Sequence, residues 1–282
     1  MRDQNPGPVK RAGVWLQGMA LMFSAMLSGC QSPQQALQEL AARHAQRLEI
    51  IPSQPFPLAL VSPLTRPVAP RLRIYLEGDG RAWATPTQPS LDPSPRQLLV
   101  ARLALTDPTP SLYLARPCQF VDAPGCNTRL WTDQRFGAAV VTSLSQALDR
   151  IKLRYGNEDF ELVGYSGGGA LALLLAAQRS DIAGVQTLAG NLSPRQWATL
   201  LQLSPLSGSL DPLDYRVQLT RLPQRHFVGS ADRVVPPALL EYYRQALGND
   251  RCVQSVHVAG ASHAEGWDSA WRQGRDQPLG CR

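Results

Sequence analysis

The residues of this chain that could do chemistry centre on one serine. Ser166 stands in the pentapeptide Gly164-Tyr165-Ser166-Gly167-Gly168, which has the pattern G-x-S-x-G. The apolar run "FELV" precedes this pentapeptide and "ALALLLAA" follows it, which predicts a sharp turn, a nucleophile elbow, between a buried strand and a helix. Gly164 and Gly168 are needed because side chains at these positions would collide across the turn. The helix directs its positive N-terminal end at the serine, which favours a developing oxyanion there.

The same glycines allow two nucleotide-binding interpretations, and both fail. A phosphate-binding P-loop requires G-x-x-x-x-G-K-[ST], and no lysine or threonine follows these glycines. Gly167, Gly169 and Ala172 fit G-x-G-x-x-A, but a dinucleotide site also needs a carboxylate about 20 residues further on. No Asp or Glu lies between Asp181 and Asp211, so this match is accidental.

A serine hydroxyl is a poor nucleophile at neutral pH, so Ser166 needs a base within hydrogen-bond reach. Four histidines are available. His263 lies on a small-residue loop just beyond the last predicted strand, which is where parallel strands present ligands. His44 precedes the sheet, and His226 and His257 lie inside predicted strands. We therefore expect His263 to be the base.

The base needs a carboxylate that orients it. Asp232 lies in the loop between the predicted strand "QRHFVGS" and a helix that opens with prolines. Like His263, it therefore follows directly after the C-terminal end of a strand. Asp211 and Asp214, earlier in the chain, are the alternatives. Alternatively, Asp232 is an ordinary loop carboxylate that pairs with its neighbour Arg233 and has no catalytic role. We expect Asp232 to be the acid.

An acyl-transfer site also needs two backbone N–H groups that stabilise an oxyanion. One is expected from Gly167, directly after the nucleophile. The other is expected in the turn Gly78-Asp79-Gly80 after the predicted strand "RIYLE", where glycines let the backbone approach a substrate. Asp79 is the first choice for this second donor and Gly80 is the next, although "GDG" is also an ordinary tight turn.

The elements around these residues alternate between strands and helices. Apolar runs flanked by helical segments indicate a mostly parallel sheet with helices on both faces. Residues 71–282 are expected to form this domain. Residues 30–70 are expected to form a lead-in with a short helix, a proline-rich stretch and an early edge strand, "PLALV".

A small cap is expected at residues 191–222, the longest connection in the second half of the domain. Trp197, Leu200 and Leu201 lie in this segment. They either line an acyl pocket or pack beneath a surface helix, and the sequence leaves both alternatives open.

These residues together resemble the α/β-hydrolase superfamily over nearly all of the chain from about Leu72. The resemblance implies acyl transfer through a Ser166–Asp232–His263 triad and an acyl-enzyme, with carboxylic esters as the leading substrates and no metal or organic cofactor. Thioesters, amides and peptides are further substrate classes, and a binding lipoprotein without catalysis is the competing function. One departure concerns the oxyanion turn, where lipases of the superfamily usually carry His-Gly and this chain has Glu77-Gly78.

The N-terminus has the features of an export signal. Arg2, Lys10 and Arg11 precede a short apolar stretch that ends in Leu27-Ser28-Gly29-Cys30. Small residues before a cysteine resemble a bacterial lipobox, so residues 1–29 are expected to be a lipoprotein signal peptide and Cys30 the lipid-modified residue. The resemblance implies membrane attachment through this lipid in the cell envelope, with the outer membrane, facing the periplasm, as the expected location.

Composition and the remaining cysteines agree with an exported globular protein. The chain has 282 residues, 44% hydrophobic and 18% charged, with a net charge of +6, which is typical of a folded domain. The arginines are scattered and accompany no nucleic-acid motif, so we expect no binding to nucleic acid. We also expect a monomer that acts on a small molecule. Two local disulfides are favoured among the three pairings, Cys118 with Cys126 and Cys252 with Cys281.

Overall fold

The computed structural model of the protein describes residues 1–5, 7 and 31–281. Pro33–Arg282 form one compact unit, which contains every helix and strand described. The expected signal peptide cleavage site and Cys30 lie outside the described residues. Among the described residues, no helix combines the length and the apolar character needed to cross a membrane.

The unit is built on one eight-stranded sheet. The strands are β1 (Gln46–Ile51), β2 (Leu58–Pro63), β3 (Arg71–Leu76), β4 (Ser111–Leu114), β5 (Asp159–Tyr165), β6 (Ile182–Leu188), β7 (Gln224–Gly229) and β8 (Val253–Val258). Their order in the sheet is β1-β2-β4-β3-β5-β6-β7-β8. β1 and β2 pair antiparallel, as do β2 and β4, and all other neighbours are parallel.

Eight α-helices and two short 3-10 helices connect the strands. The α-helices are α1 (Pro33–Arg43), α2 (Leu99–Leu105), α3 (Ala138–Tyr155), α4 (Gly167–Gln178), α5 (Pro194–Leu200), α6 (Arg216–Leu219), α7 (Ala238–Leu247) and α8 (Trp267–Gly274). The 3-10 helices are Thr128–Trp131 and Pro212–Tyr215.

Helices cover both faces of the sheet, as predicted. Side chains alternate along each strand, so Leu72 and Ile74 of β3 join one buried cluster and Tyr75 joins the other. The first cluster contains side chains from α3, α4 and α7, and the second contains side chains from α1, α2 and α8. A sheet buried on both faces explains why its parallel strands read as continuous apolar runs.

The sheet extends beyond the boundary expected at residue 71. β1 and β2 lie within residues 30–70 and complete its antiparallel edge, so this segment is part of the fold and not a lead-in. β1 is the edge strand, and β2, which contains most of "PLALV", lies inside the sheet. The prolines at 52, 55 and 57 fall between the two strands, where they interrupt no ladder.

The two disulfides form as the sequence predicts. Cys118 is joined to Cys126 and Cys252 to Cys281. The first bond closes a loop after β4, and the second ties the segment after α8 to the start of β8.

Candidate active site

Ser166 occupies a strained turn between β5 and α4, as the G-x-S-x-G pattern predicts. Its backbone has φ 52° and ψ −122°, a conformation that non-glycine residues rarely adopt. A Cβ added to Gly164 would lie 2.3 Å from the carbonyl oxygen of Gly168, and one added to Gly168 would lie 2.4 Å from that of Leu76. Both glycines are therefore required by steric contact.

The structure brings Ser166, His263 and Asp232 into one hydrogen-bonded relay. His263 Nε2 lies 3.0 Å from Ser166 Oγ, and His263 Nδ1 lies 2.9 Å from Asp232 Oδ2. With Nδ1 protonated and bonded to the carboxylate, Nε2 presents a lone pair to the serine hydroxyl. This is the geometry that general-base activation of a serine needs.

Backbone and aromatic contacts hold the relay in place. Asp232 is buried, and its second oxygen accepts hydrogen bonds from the backbone N–H groups of Val234 and Val235 at 2.8 and 2.9 Å. The carbonyl oxygen of His263 accepts hydrogen bonds from Tyr165 and Trp267, both at 2.8 Å. The loops that carry the base and the acid are thus fixed by contacts other than the relay itself.

The alternative carboxylates and histidines serve other contacts. Asp211 accepts hydrogen bonds from Ser193 Oγ and from the backbone N–H of Arg195 in the first turn of α5, and Asp214 pairs with the Arg195 side chain at 2.7 Å. His226 is fully buried between Thr187 and Gln224, and burial lowers its pKa to about 3. His44 and His257 are exposed and away from the cavity that Ser166 lines.

The turn after β3, which contains the expected oxyanion donors Asp79 and Gly80, lies against Ser166. A Cβ added to Gly78 would lie 3.1 Å from the Cβ of Ser166, so the turn passes directly over the serine. The N–H of Gly78 donates to the carboxylate of Glu77 at 2.9 Å. Among the hydrogen bonds of the described residues, none uses the N–H of Asp79, Gly80 or Gly167. These three donors are therefore free to bind a ligand.

Two buried arginines hold the side chain of Asp79. Arg135 donates to one carboxylate oxygen at 2.6 Å, and Arg116 donates to the other. Burial opposes ionisation of Asp79, but the two positive charges outweigh burial and lower the pKa of its carboxyl. A Cβ added to Gly167 would lie 2.1 Å from the Asp79 carboxylate, so this ion cluster packs directly against the N-terminus of α4.

Glu77 stabilises the same turn from inside the protein. Its carboxyl accepts hydrogen bonds from the N–H of Gly78 and from the hydroxyl of Tyr113, at 2.9 and 2.8 Å. Burial raises the pKa of Glu77 to about 7, and these two hydrogen bonds oppose the rise. Glu77 is only 2% exposed and lies at the wall of the cavity that Ser166 lines. Both of its carboxylate oxygens are used in supporting the turn.

Ser166 and His263 open into one large cavity of about 1160 Å³. Its walls come from residues 80–97, residues 132–135, residues 197–206 and the loop after β7. Most of the surface is apolar, with side chains such as Trp83, Trp197 and Leu206. No group of three His, Cys, Asp or Glu side chains that could hold a metal is found among the described residues. An apolar cavity with a few polar groups at one end suits an organic ligand.

Solved structures with similar folds are serine hydrolases and esterases at low sequence identity. A Pyrococcus furiosus esterase superposes with a TM-score of 0.57 at 13% identity, covering 81% of this chain and 86% of its own. An alpha-beta serine hydrolase homologue from Coxiella burnetii gives 0.52 at 17% identity, covering 82% and 94%. A Pyrococcus horikoshii acylaminoacyl peptidase gives 0.53 at 12%, covering 77% of this chain and 37% of its own.

The chain has the α/β-hydrolase fold. No protein-family model matches the sequence, and comparison with curated proteins finds no match.

In this α/β-hydrolase fold, residues 191–222 form a small insert of α5, the second 3-10 helix and α6. Trp197 lines the cavity, and its indole donates to the carbonyl of Val234 at 2.7 Å. Leu200 and Leu201 are not among the lining residues. Lining of a pocket is thus correct for Trp197, whereas Leu200 is exposed and neither lines the cavity nor packs beneath a helix. Another part of the wall comes from residues 80–97, which the sequence did not indicate.

Sequence reasoning also missed Arg116, Arg135 and Asn191. Arg116 follows β4 and Asn191 follows β6, both at the carboxyl ends of strands, and this position was the available signal. The sequence carries no signal for Arg135, because this residue lies before α3 and contacts Asp79 in the turn after β3 only in the folded protein.

Proposed function

We propose that the protein is a serine hydrolase that cleaves acyl bonds, with carboxylic esters as its leading substrates. The observation that carries this proposal is the relay of Ser166, His263 and Asp232 at the inner end of a cavity large enough for an organic acyl compound. A serine in a strained elbow with a base 3.0 Å away is the arrangement that nucleophilic catalysis needs.

The reaction would proceed in two halves. His263 takes the proton of Ser166 as Oγ attacks the carbonyl carbon, and the carbonyl oxygen becomes an oxyanion bound by the N–H groups of Gly167 and Asp79. The tetrahedral intermediate expels the alcohol, which receives the proton from His263. Water, deprotonated by His263, then attacks the acyl-enzyme and releases the acid. Asp232 holds the imidazole and balances its charge.

Esters are the leading class because an alkoxide is a better leaving group than an amide anion, so their cleavage depends less on protonation of the leaving group by His263. The cavity wall is apolar around Trp83, Trp197 and Leu206, which suits an apolar acyl or alcohol group. Thioesters, amides and peptides stay as alternatives within the same mechanism. One of the solved structures with a similar fold is that of an acylaminoacyl peptidase.

A binding lipoprotein without catalysis is the competing function. Such a protein would have no use for a base within hydrogen-bond distance of a strained serine, nor for three unpaired N–H donors around it. These features favour the enzyme.

We propose further that Cys30 carries a lipid that attaches a monomeric enzyme to the outer membrane, facing the periplasm. The lipobox-like Leu27-Ser28-Gly29-Cys30 supports attachment, and two disulfides suit a compartment that is not reducing. Metabolic labelling with a fatty-acid analogue tests the anchor. Full-length protein should incorporate the analogue, and a Cys30→Ala variant that incorporates it equally would refute the anchor.

The central test is reaction of the purified soluble chain, residues 31–282, with a fluorophosphonate probe. Wild type should be labelled, and Ser166→Ala and His263→Ala should not be, whereas Ser207→Ala, which alters an exposed serine that does not line the cavity, should label normally. Hydrolysis of ester, thioester and amide substrates with one common acyl group then ranks the substrate classes. A folded wild type that takes no label, with or without detergent, would support the binding function instead.

A further inference from the structure

Asn191 is a buried polar side chain of the cavity wall that has no partner. It lies three residues beyond the end of β6, it is 2% exposed, and it lines the cavity together with Ser166. Its Oδ1 is buried and accepts no hydrogen bond. Among the hydrogen bonds of the described residues, none uses its Nδ2 either. Leaving such a group unpaired destabilises the folded protein, and native structures seldom do so without a ligand or a functional reason.

The backbone of Asn191 is fixed to the nucleophile elbow. Its N–H donates to the carbonyl oxygen of Ser166 at 2.8 Å. The preceding residue, Gly190, packs so closely on α4 that a Cβ added to Gly169 would lie 2.8 Å from its Cα. The backbone of Asn191 is therefore fixed relative to that of Ser166, so its side chain begins at the reacting end of the cavity.

The two carboxylates that line this end of the cavity are already occupied. Both oxygens of Asp79 bind arginines, and Glu77 binds Tyr113 and the N–H of Gly78. Asn191 is thus a neutral side chain on a fixed backbone, left free to exchange hydrogen bonds with a ligand. A carboxamide offers both a donor and an acceptor, so a group on the ligand that does the same can satisfy it whichever way the amide is turned.

We propose that Asn191 determines substrate specificity by binding a hydroxyl or amide group next to the scissile carbonyl. The inference rests on the proposed hydrolase function and names its substrate class, acyl compounds that are largely apolar but carry one such neutral polar group. A site with a buried polar group discriminates strongly against an analogue that leaves the group unpaired.

The test compares three 4-nitrophenyl esters of similar size, those of butyrate, 3-hydroxybutyrate and N-acetylglycine. Wild type should hydrolyse at least one of the two polar esters with a kcat/KM about 10-fold above that of butyrate. Asn191→Leu removes the amide at similar volume, so it should bring this ratio close to 1 while butyrate hydrolysis persists. The ratio within one preparation does not depend on the fraction of protein that is folded, and Asn191→Ala should give the same collapse.

Asn157→Leu is the matched control. Asn157 also has a buried, unpaired Oδ1, but it is not among the cavity residues, so its replacement should leave the ratio unchanged. A wild type that hydrolyses all three esters equally, or an Asn191→Leu variant that keeps the preference, would overturn the assignment of Asn191 and leave the serine hydrolase intact. Absence of both ester hydrolysis and fluorophosphonate labelling would overturn the two proposals together.

Discussion

At the residue scale, each member of the relay has a second contact that fixes its orientation. The carboxylate of Asp232 shows the principle, because one oxygen binds His263 and the other binds two backbone N–H groups. The imidazole is therefore held in the tautomer that leaves Nε2 free. Without the negative carboxylate at position 232, the three side chains could still lie together, but the imidazole would not be held with its proton on Nδ1.

Replacing Asp232 by Asn should preserve the fold and lose most of the activity. The amide oxygen can still accept from Val234 and Val235, but the amide nitrogen donates to His263 and favours the wrong tautomer. We expect kcat for an activated ester to fall about 10³- to 10⁴-fold. Asp214→Asn, which alters an exposed carboxylate paired with Arg195, is the control and should keep wild-type activity. An Asp232→Asn enzyme with nearly normal kcat would show that another acid orients His263.

Glu77 makes stability depend on pH in a predictable direction. Its pKa is raised by burial to about 7 from an ordinary 4.5, so between these values the folded state holds a proton that the unfolded state has lost. Stability from this group should be complete below about pH 4.5 and should decline by roughly 1.4 kcal/mol per pH unit until about pH 7.

Glu77→Gln keeps the shape and cannot ionise, so it isolates this effect. Urea unfolding of both proteins from pH 4.5 to 8 should show wild type losing roughly 2–3 kcal/mol relative to the variant as pH rises. A difference between the two free energies of unfolding that is constant over this range would mean that Glu77 is ionised throughout.

Local sequence sufficed for the residues whose role depends on chain neighbours. Ser166 is marked by the glycines beside it, and His263 and Asp232 by their positions just beyond strands. Arg135 reaches Asp79 from a distant segment, so no adjacent residue marks it.

At the element scale, the oxyanion turn after β3 depends on the loop after β4. Gln119 in that loop donates to the carbonyl of Gly78 at 3.0 Å and accepts from the N–H of Arg116 at 3.1 Å. Arg116 in turn binds Asp79. The N–H of Asp79 is therefore positioned by a second element that does not touch the serine.

Gln119→Ala should loosen the turn without removing any donor. We expect kcat to fall about 10- to 100-fold with a smaller change in KM, because small misplacements matter most in the transition state. Gln38→Ala on the exposed surface of α1 serves as the control. A fall in kcat in Gln119→Ala, with the pH dependence and stability of wild type, would support a positioning role. An unchanged kcat would show that Gln119 does not position the turn.

Element boundaries were predictable where a strong local signal existed. α3 ends at Gly156, which takes a left-handed conformation and closes the helix through a hydrogen bond to Lys152, as the glycine predicts. Its start carries no such signal, because α3 begins after Gly137, which has no side chain that could cap the helix. β1 was missed because Gln46–Ile51 continues the polar composition of α1 and gains its strand character from pairing with β2.

At the scale of the whole molecule, the two disulfides close loops of different length and should contribute differently. The Cys252–Cys281 bond spans 29 residues and the Cys118–Cys126 bond spans 8. In the loop-entropy account the longer loop stabilises by roughly 3–4 kcal/mol and the shorter by roughly 2–3 kcal/mol.

Paired Cys→Ser variants should separate stability from activity. Removing Cys252 and Cys281 should lower the urea midpoint more, yet leave kcat nearly unchanged, because β8 and the segment after α8 lie away from the oxyanion turn. Removing Cys118 and Cys126 should cost less stability but lower kcat, because that bond closes the loop that contains Gln119. The reverse pattern of kcat losses would contradict the role given to this loop.

The parallel sheet and its two covered faces could be predicted from apolar runs that alternate with helical segments. The cavity could not be predicted in this way. Its walls are assembled from residues 80–97, 132–135 and 197–206, segments that are distant in sequence and have no shared pattern. Their approach depends on where the sheet order places β3, β4 and β6. Substrate specificity therefore lies in the part of the molecule that the sequence describes least.

The most direct measurement is a rapid-quench experiment with 4-nitrophenyl acetate, followed by mass spectrometry of the intact chain and of the peptide that contains Ser166. We predict a burst of nitrophenol equal to the concentration of active sites and a transient acetyl adduct on Ser166. The adduct should be absent in His263→Ala. Hydrolysis at the wild-type rate by Ser166→Ala, or an adduct on another residue that persists in that variant, would contradict the acyl-enzyme mechanism.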